Sequence, residues 1–158
     1  MSKVLSFDQS TRVSGWAYFE DNKYIESGVI DMSKTKLETD KRSFEMAKEL
    51  WKIIRKYNPD ILCIEDVQNQ SNAKTMIVLA RLAGMIIGYA EAHKIDIYII
   101  TSTQWRSMLD FKLGAGVKRE ELKQQSIDYV KETYGVDVPE DEAEAIALGS
   151  GAHIKYNL

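Results

Sequence analysis

Asp8, Glu65, Asp141 and Glu144 are the residues whose types and places in this sequence point to chemistry. Asp8 closes a short apolar run at residues 4–7, Glu65 closes a second at 61–64, and Asp141 and Glu144 stand three apart at the opening of the last helical stretch. Carboxylate oxygens are hard ligands suited to magnesium or manganese. Two such ions about 4 Å apart stabilise both the attacking and the leaving oxygen of a phosphoryl displacement. Gathered into one pocket, these acids would support metal-dependent cutting of a phosphodiester.

Taken singly, each acid has a plainer explanation. In Asp8-Gln9-Ser10-Thr11 an aspartate can simply make Asx-type turn bonds. The acids at 140–144 suit the positive end of a helix. Glu65 is harder to dismiss, because it follows four apolar residues in a strand that reads as central, where an unpaired carboxylate is expensive. Its neighbour Asp66 points to the opposite face if the strand persists, and reads as a loop or capping residue. Asp141 and Glu144 share a helix face, whereas Glu140 and Glu142 turn elsewhere and read as helix-start charge.

The elements that must position these side chains follow from periodicity. Residues 4–7, 14–19 and 24–30 read as three antiparallel strands, with turn chemistry at Asp21-Asn22-Lys23. From 41 to 57, Phe44, Ala47, Leu50, Trp51 and Ile54 recur at helical spacing until Asn58-Pro59 stops them. Residues 60–65 suit a strand covered on both faces. A helix at 72–93 is apolar around much of its girth, so one face fits a sheet and another a second subunit. A strand at 95–100, a helix at 118–134 and a final helix at 140–153 behind Pro139 complete the chain. The expected architecture is α/β, a mixed five-stranded sheet flanked by helices, forming a single domain over residues 1–158. Ala143, Ala145, Ala147 and Gly149 would let the last helix approach that sheet closely.

Composition narrows the classes. The 158 residues are about one domain's length, and 44% hydrophobic content is enough for a core. The one cysteine, Cys63, excludes a disulfide within the chain and a zinc site built from cysteines, and reads as a core residue. The residues 1–4 show no leader pattern and no window reads as a membrane span, so a soluble, cytoplasmic protein is expected. A net charge of −3 argues weakly against a nucleic-acid partner, but bound cations would offset the acids and the 21 Lys and Arg can be concentrated on one surface.

The blocks Leu5-Ser6-Phe7-Asp8-Gln9-Ser10-Thr11 with Gly15-Trp16-Ala17, then Ile64-Glu65-Asp66-Val67, Asn72-Ala73, and Asp141-Glu142-Ala143-Glu144-Ala145-Ile146-Ala147, resemble in order the RuvC-type Holliday junction resolvases of the RNase H-like superfamily. Small, divergent members of this kind are often encoded by bacteriophages, which would put the protein in a host cytoplasm. The resemblance implies a homodimer that binds four-way or otherwise branched DNA and nicks it with two Mg2+ ions per site, Mn2+ substituting, to leave 5′-phosphate and 3′-hydroxyl ends. It makes Asp8, Glu65, Asp141 and Glu144 the metal-binding catalytic acids. It also implies DNA contacts from Arg106, Lys118 and Arg119, around a loop in which Gly114 and Gly116 permit close approach to a phosphate. Trp105 reads as a packing residue.

Three positions depart from the family pattern. Glu144 stands where an aspartate is usual. Gln68 replaces an aromatic residue that wedges into the junction in cellular members, though it keeps the DNA-facing place. Arg106 precedes Gly114 by more residues than usual. These departures imply activity on several branched structures, forks and flaps included. Two other readings stay open: a phosphotransfer or ATPase domain of the actin and sugar-kinase type, because Asp8-Gln9-Ser10-Thr11 with Gly15 also resembles a phosphate-binding hairpin, and a non-catalytic binder of branched DNA.

Overall fold

The computed structural model describes residues 2–68 and 72–158; Met1, part of the stretch read for a leader, lies outside them. Strands β1 (Lys3–Asp8), β2 (Val13–Glu20) and β3 (Lys23–Asp31) form an antiparallel meander. Asp21 and Asn22 turn from β2 into β3 with φ of 48° and 65°, the left-handed backbone that a two-residue hairpin requires. Then follow α1 (Thr39–Tyr57), β4 (Ile61–Glu65), α2 (Ala73–Ala92), β5 (Asp96–Ile100), α3 (Ser102–Met108), α4 (Arg119–Tyr134) and α5 (Glu140–Tyr156). The sheet order is β3-β2-β1-β4-β5, with β4 parallel to both β1 and β5. This is the mixed five-stranded sheet with three leading antiparallel strands that the periodicity predicts.

Period-two alternation divides the strands between two cores. Leu5, Phe7, Trp16, Tyr18, Leu62 and Ile64 meet α1 and α2 on one face. Val4, Ala17, Phe19, Cys63 and Ile100 meet α3, α4 and α5 on the other. Helix α5 runs so close to the sheet that every residue from Ala143 to His153 is buried. The buried Ser6 Oγ–H donates to the Ala145 carbonyl at 2.7 Å, and a Cβ on Gly149 would collide with the Phe19 ring and come within 2.7 Å of Ser6 Oγ. The small-residue spacing on this helix therefore does what the sequence suggests.

Three expectations are corrected. The buried stripe of α1 is Ser43, Met46, Ala47, Leu50 and Ile54, while Phe44, read as core-facing, is 45% exposed; it lies one step outside the apolar arc. Helix α2 is long and apolar enough to cross a membrane by length and composition, contrary to the sequence reading, although its Leu82, Ala83, Ile86 and Ala90 are buried in the first core. Finally, a helix that the periodicity does not show follows β5: α3 begins at Ser102 behind the N-cap Thr101, whose side chain and that of Gln104 form a reciprocal capping box.

Candidate active site

The β1–β4 register pairs Phe7 with Ile64, so one step further Asp8 and Glu65 emerge side by side at the carboxyl ends of adjacent parallel strands. Gly15, paired with Asp8 across β1 and β2, leaves room for the first turn of α5: a Cβ there would collide with the Asp141 carbonyl oxygen. That close approach brings Asp141 and Glu144 to the same end of the sheet. All four acids line one cleft of about 680 Å³, together with Gln9, Gln68, Arg106, Arg119 and Lys123.

Hydrogen bonds fix the floor of the cleft. Trp105 Nε1–H donates to Glu65 Oε2 at 2.9 Å, and Gln9 Nε2–H donates to the Glu65 backbone carbonyl at 2.7 Å. Glu144 is buried and fully engaged: Arg106 Nη2–H reaches Oε1 at 3.0 Å and Ser126 Oγ–H reaches Oε2 at 2.7 Å. Burial, with repulsion from Glu65, Glu144 and Asp141, pushes Asp8 well above the ordinary carboxylate range, and the Arg106 charge offsets only part of this. Burial also raises Glu65, against the pull of the Trp105 hydrogen bond and of Arg106. Asp141 is raised by burial and by neighbouring Glu140. Three crowded acids that resist ionisation are an anionic site short of positive charge.

An all-oxygen, charge-deficient donor set fits a hard divalent cation. The four acids are not a ready-made cage, however. Among the described residues no three Asp, Glu, His or Cys side chains stand close enough to hold one ion, and both oxygens of Glu144 are occupied by Arg106 and Ser126. The guanidinium stands where a cation would be drawn.

The expected DNA-contacting residues divide. Arg119 and Gln68 line the cleft, and Gln68 donates through Nε2–H to Ser102 Oγ. Lys118 is the N-cap residue of α4, exposed beside the cleft rather than lining it. Arg106 departs from its expected role: its side chain is only 15% exposed, lies over the Trp105 ring at 4.7 Å, and pairs with Glu144 instead of standing out for a phosphate. As read from sequence, Glu140 and Glu142 stay out of the cleft lining; they bond Lys123 and Ser27.

Sequence reasoning missed Arg12 and Arg42, which line the cleft with Thr11, and Lys123, which lines it near Arg119. Arg42 Nε–H also donates to the Thr11 carbonyl at 3.1 Å, tying α1 to the β1–β2 turn. Lys123 follows Arg119 by four residues on α4, a spacing that would have revealed it. Arg12 and Arg42 are brought together only by the fold.

A mixed sheet of this order, with an acid ending its central strand and further acids on a helix laid across the strand ends, is an RNase H-like fold. The family described as crossover junction endodeoxyribonuclease RuvC matches residues 4–149. The RuvC of Fusobacterium nucleatum is 28% identical over 150 residues, covering 92% of this chain and 77% of that protein. That of Syntrophomonas wolfei is 26% identical over 150 residues, covering 92% and 85%. Among solved structures, Thermus thermophilus RuvC in complex with a Holliday junction substrate superposes with a TM-score of 0.76 at 13% identity, over 99% of this chain and 96% of that one. Fowlpox virus resolvase with Holliday junction DNA gives 0.66 at 19% identity over 99% of each. At those identities the structural matches establish the fold. With the sequence match spanning nearly its whole length, the chain belongs to the RuvC family of crossover junction endodeoxyribonucleases.

Proposed function

We propose that this protein is a metal-dependent, structure-selective DNA endonuclease that nicks Holliday junctions and other branched DNA in the cytoplasm, residues 1–158 working as one nuclease domain. The observation that carries the proposal is the convergence of Asp8, Glu65, Asp141 and Glu144, which come from β1, β4 and α5, on a single cleft. The family match over residues 4–149 favours this over the phosphotransfer reading.

The residues to hold two Mg2+ ions, or Mn2+ in their place, are Asp8, Glu65, Asp141 and Glu144, the last once Arg106 releases it. Bound there, divalent ions supply Lewis acidity that activates a water and neutralises charge on the leaving oxygen. Hydrolysis breaks the P–O3′ bond and leaves a 5′-phosphate and a 3′-hydroxyl. Around the acids the chain provides a rim for the sugar-phosphate backbone: Arg119 and Lys123 on one wall, with Lys118 exposed just outside it, Arg12 and Arg42 on the other, and Gln68 at the mouth. These cations answer the objection raised by a net charge of −3.

The working unit is a homodimer. Its support is α2, where Ile77 is 46% exposed and a Cβ on Gly84 or Gly88 would meet nothing within 4 Å. A four-way junction presents paired strands to be cut, and two copies of one site suit it.

Nicking of labelled four-way junctions, forks and linear duplex in Mg2+ tests the proposal. Wild-type protein should cut branched substrates in preference to duplex. Asp8→Asn and Glu65→Gln should each lose on the order of 10³-fold or more in cutting rate while still binding junctions. Undiminished cutting by both variants overturns the mechanism, and junction binding without any cutting by the wild type leaves a non-catalytic binder.

A further inference from the structure

Helix α3 supports the cleft through two consecutive residues, Trp105 and Arg106, each bonded to a different acid. Trp105 is wholly buried. Its ring meets Phe111 edge-on with centroids 5.9 Å apart. On its other side its backbone lies against α5, where a Cβ on Gly151 would come within 2.7 Å of the Trp105 carbonyl oxygen. The capping box at Thr101 fixes the start of the helix that carries it. The indole is therefore held from several directions and has little freedom to adapt to its acceptor.

A buried indole N–H requires a partner, and any carbonyl would satisfy it. Here the partner is Oε2 of Glu65, while among the described residues no protein donor reaches Oε1 of the same carboxylate. One oxygen is clamped and the other is left for the cleft that Glu65 lines. A carboxylate at the end of a strand has freedom about its terminal torsions, and hydrogen bonds to ligating carboxylates orient them for a metal.

We propose that Trp105 is a positioning residue for the cut: its indole N–H holds one oxygen of Glu65 so that the other is presented to a divalent cation. This rests on the reading of the cleft as a metal-dependent nuclease site. The packing explanation alone, that Trp105 only fills the second core, predicts that the N–H itself is dispensable.

Two variants separate these explanations. Trp105→Phe keeps an aromatic ring and loses the donor. Replacement of Trp105 by 3-benzothienylalanine keeps the bicyclic shape and exchanges N–H for sulfur. Mn2+ binding without DNA, followed by calorimetry, should weaken by roughly 10–100-fold in both variants. Junction affinity in the absence of metal should stay at the wild-type value, and cutting should recover as the metal concentration is raised. The benzothienyl protein, which keeps the volume of the ring, should also melt above Trp105→Phe, so that a loss of Mn2+ affinity shared by both variants does not come from lost packing. Wild-type Mn2+ affinity and cutting in the benzothienyl variant, with Glu65→Gln inactive alongside, overturns the clamp and leaves the nuclease reading standing. Wild-type cutting by Glu65→Gln instead overturns the reading of the site, and the clamp with it.

Discussion

The two faces of the sheet are covered in different ways. On the α5 side the cover is completed within the chain: residues Ala143 to His153 are all buried, and there is no room for a Cβ at Gly15, Gly149 or Gly151. On the α2 side a helix of 20 residues, rich in Ile, Leu, Met and Ala, buries only Leu82, Ala83, Ile86 and Ala90, and its glycines face open space. Glycine thus serves two purposes in one fold. In α5 it removes a side chain so that two acids can be carried to the strand ends. In α2 it leaves a flat surface that, on the homodimer proposal, a second copy covers.

A single kind of substitution sharpens this contrast most strongly. Gly149→Ala forces a methyl into Phe19 and Ser6, and overpacking of this sort costs about 1–3 kcal/mol in chemical denaturation. It should also reduce cutting, because α5 carries Asp141 and Glu144. Equal stability of Gly149→Ala and the wild type would contradict the close approach.

The next effect concerns charge inside the first region. The folded-state pKa of Asp8 is raised above its ordinary 3.8, chiefly by burial. A raised acid favours folding below its unfolded value and loses that contribution as pH rises through its folded value, so at neutral pH ionised Asp8 strains the metal-free fold. Asp8→Asn should therefore raise the stability of metal-free protein at pH 7 by about 1 kcal/mol, a melting shift of about 2–4 °C. The gain should vanish below pH 3.8, and added Mg2+ should stabilise the wild type more than the variant. A melting point that does not differ between the two proteins at pH 7 would remove the anionic-strain account.

The smallest effect tests the second region. Gly84→Ala and Gly88→Ala, in helix interior with nothing of their own chain within 4 Å, should each stabilise the monomer by about 0.5–1 kcal/mol, opposite in sign to Gly149→Ala. Gly88→Trp should leave the fold intact and shift sedimentation from dimer to monomer. If sedimentation is unchanged, α2 is not a dimer face.

Much of the architecture is legible locally. Strands announce themselves by alternation, and the acids by their place at the ends of apolar runs. Helix α3 was missed because seven residues are too few for a periodic signal, although Thr101-Ser102-Thr103-Gln104 carries the capping-box pattern in plain sight. Phe44 misled because a helical repeat of apolar residues fixes the period without fixing which edge of the arc is buried. The partner of Arg106 could not be read at all: Glu144 lies 38 residues away, and the choice between a carboxylate and an incoming phosphate depends on where α3 settles against α5. Arg42 likewise meets the site only through the packing of α1 beside the β1–β2 turn, where Arg12 already sits.

The most direct measurement is anomalous diffraction from crystals equilibrated with Mn2+. The expected result is two anomalous peaks inside the cleft that Asp8, Glu65, Asp141 and Glu144 line, with Glu144 released from Arg106. Peaks only outside the cleft, in protein that still cuts junctions, would contradict it.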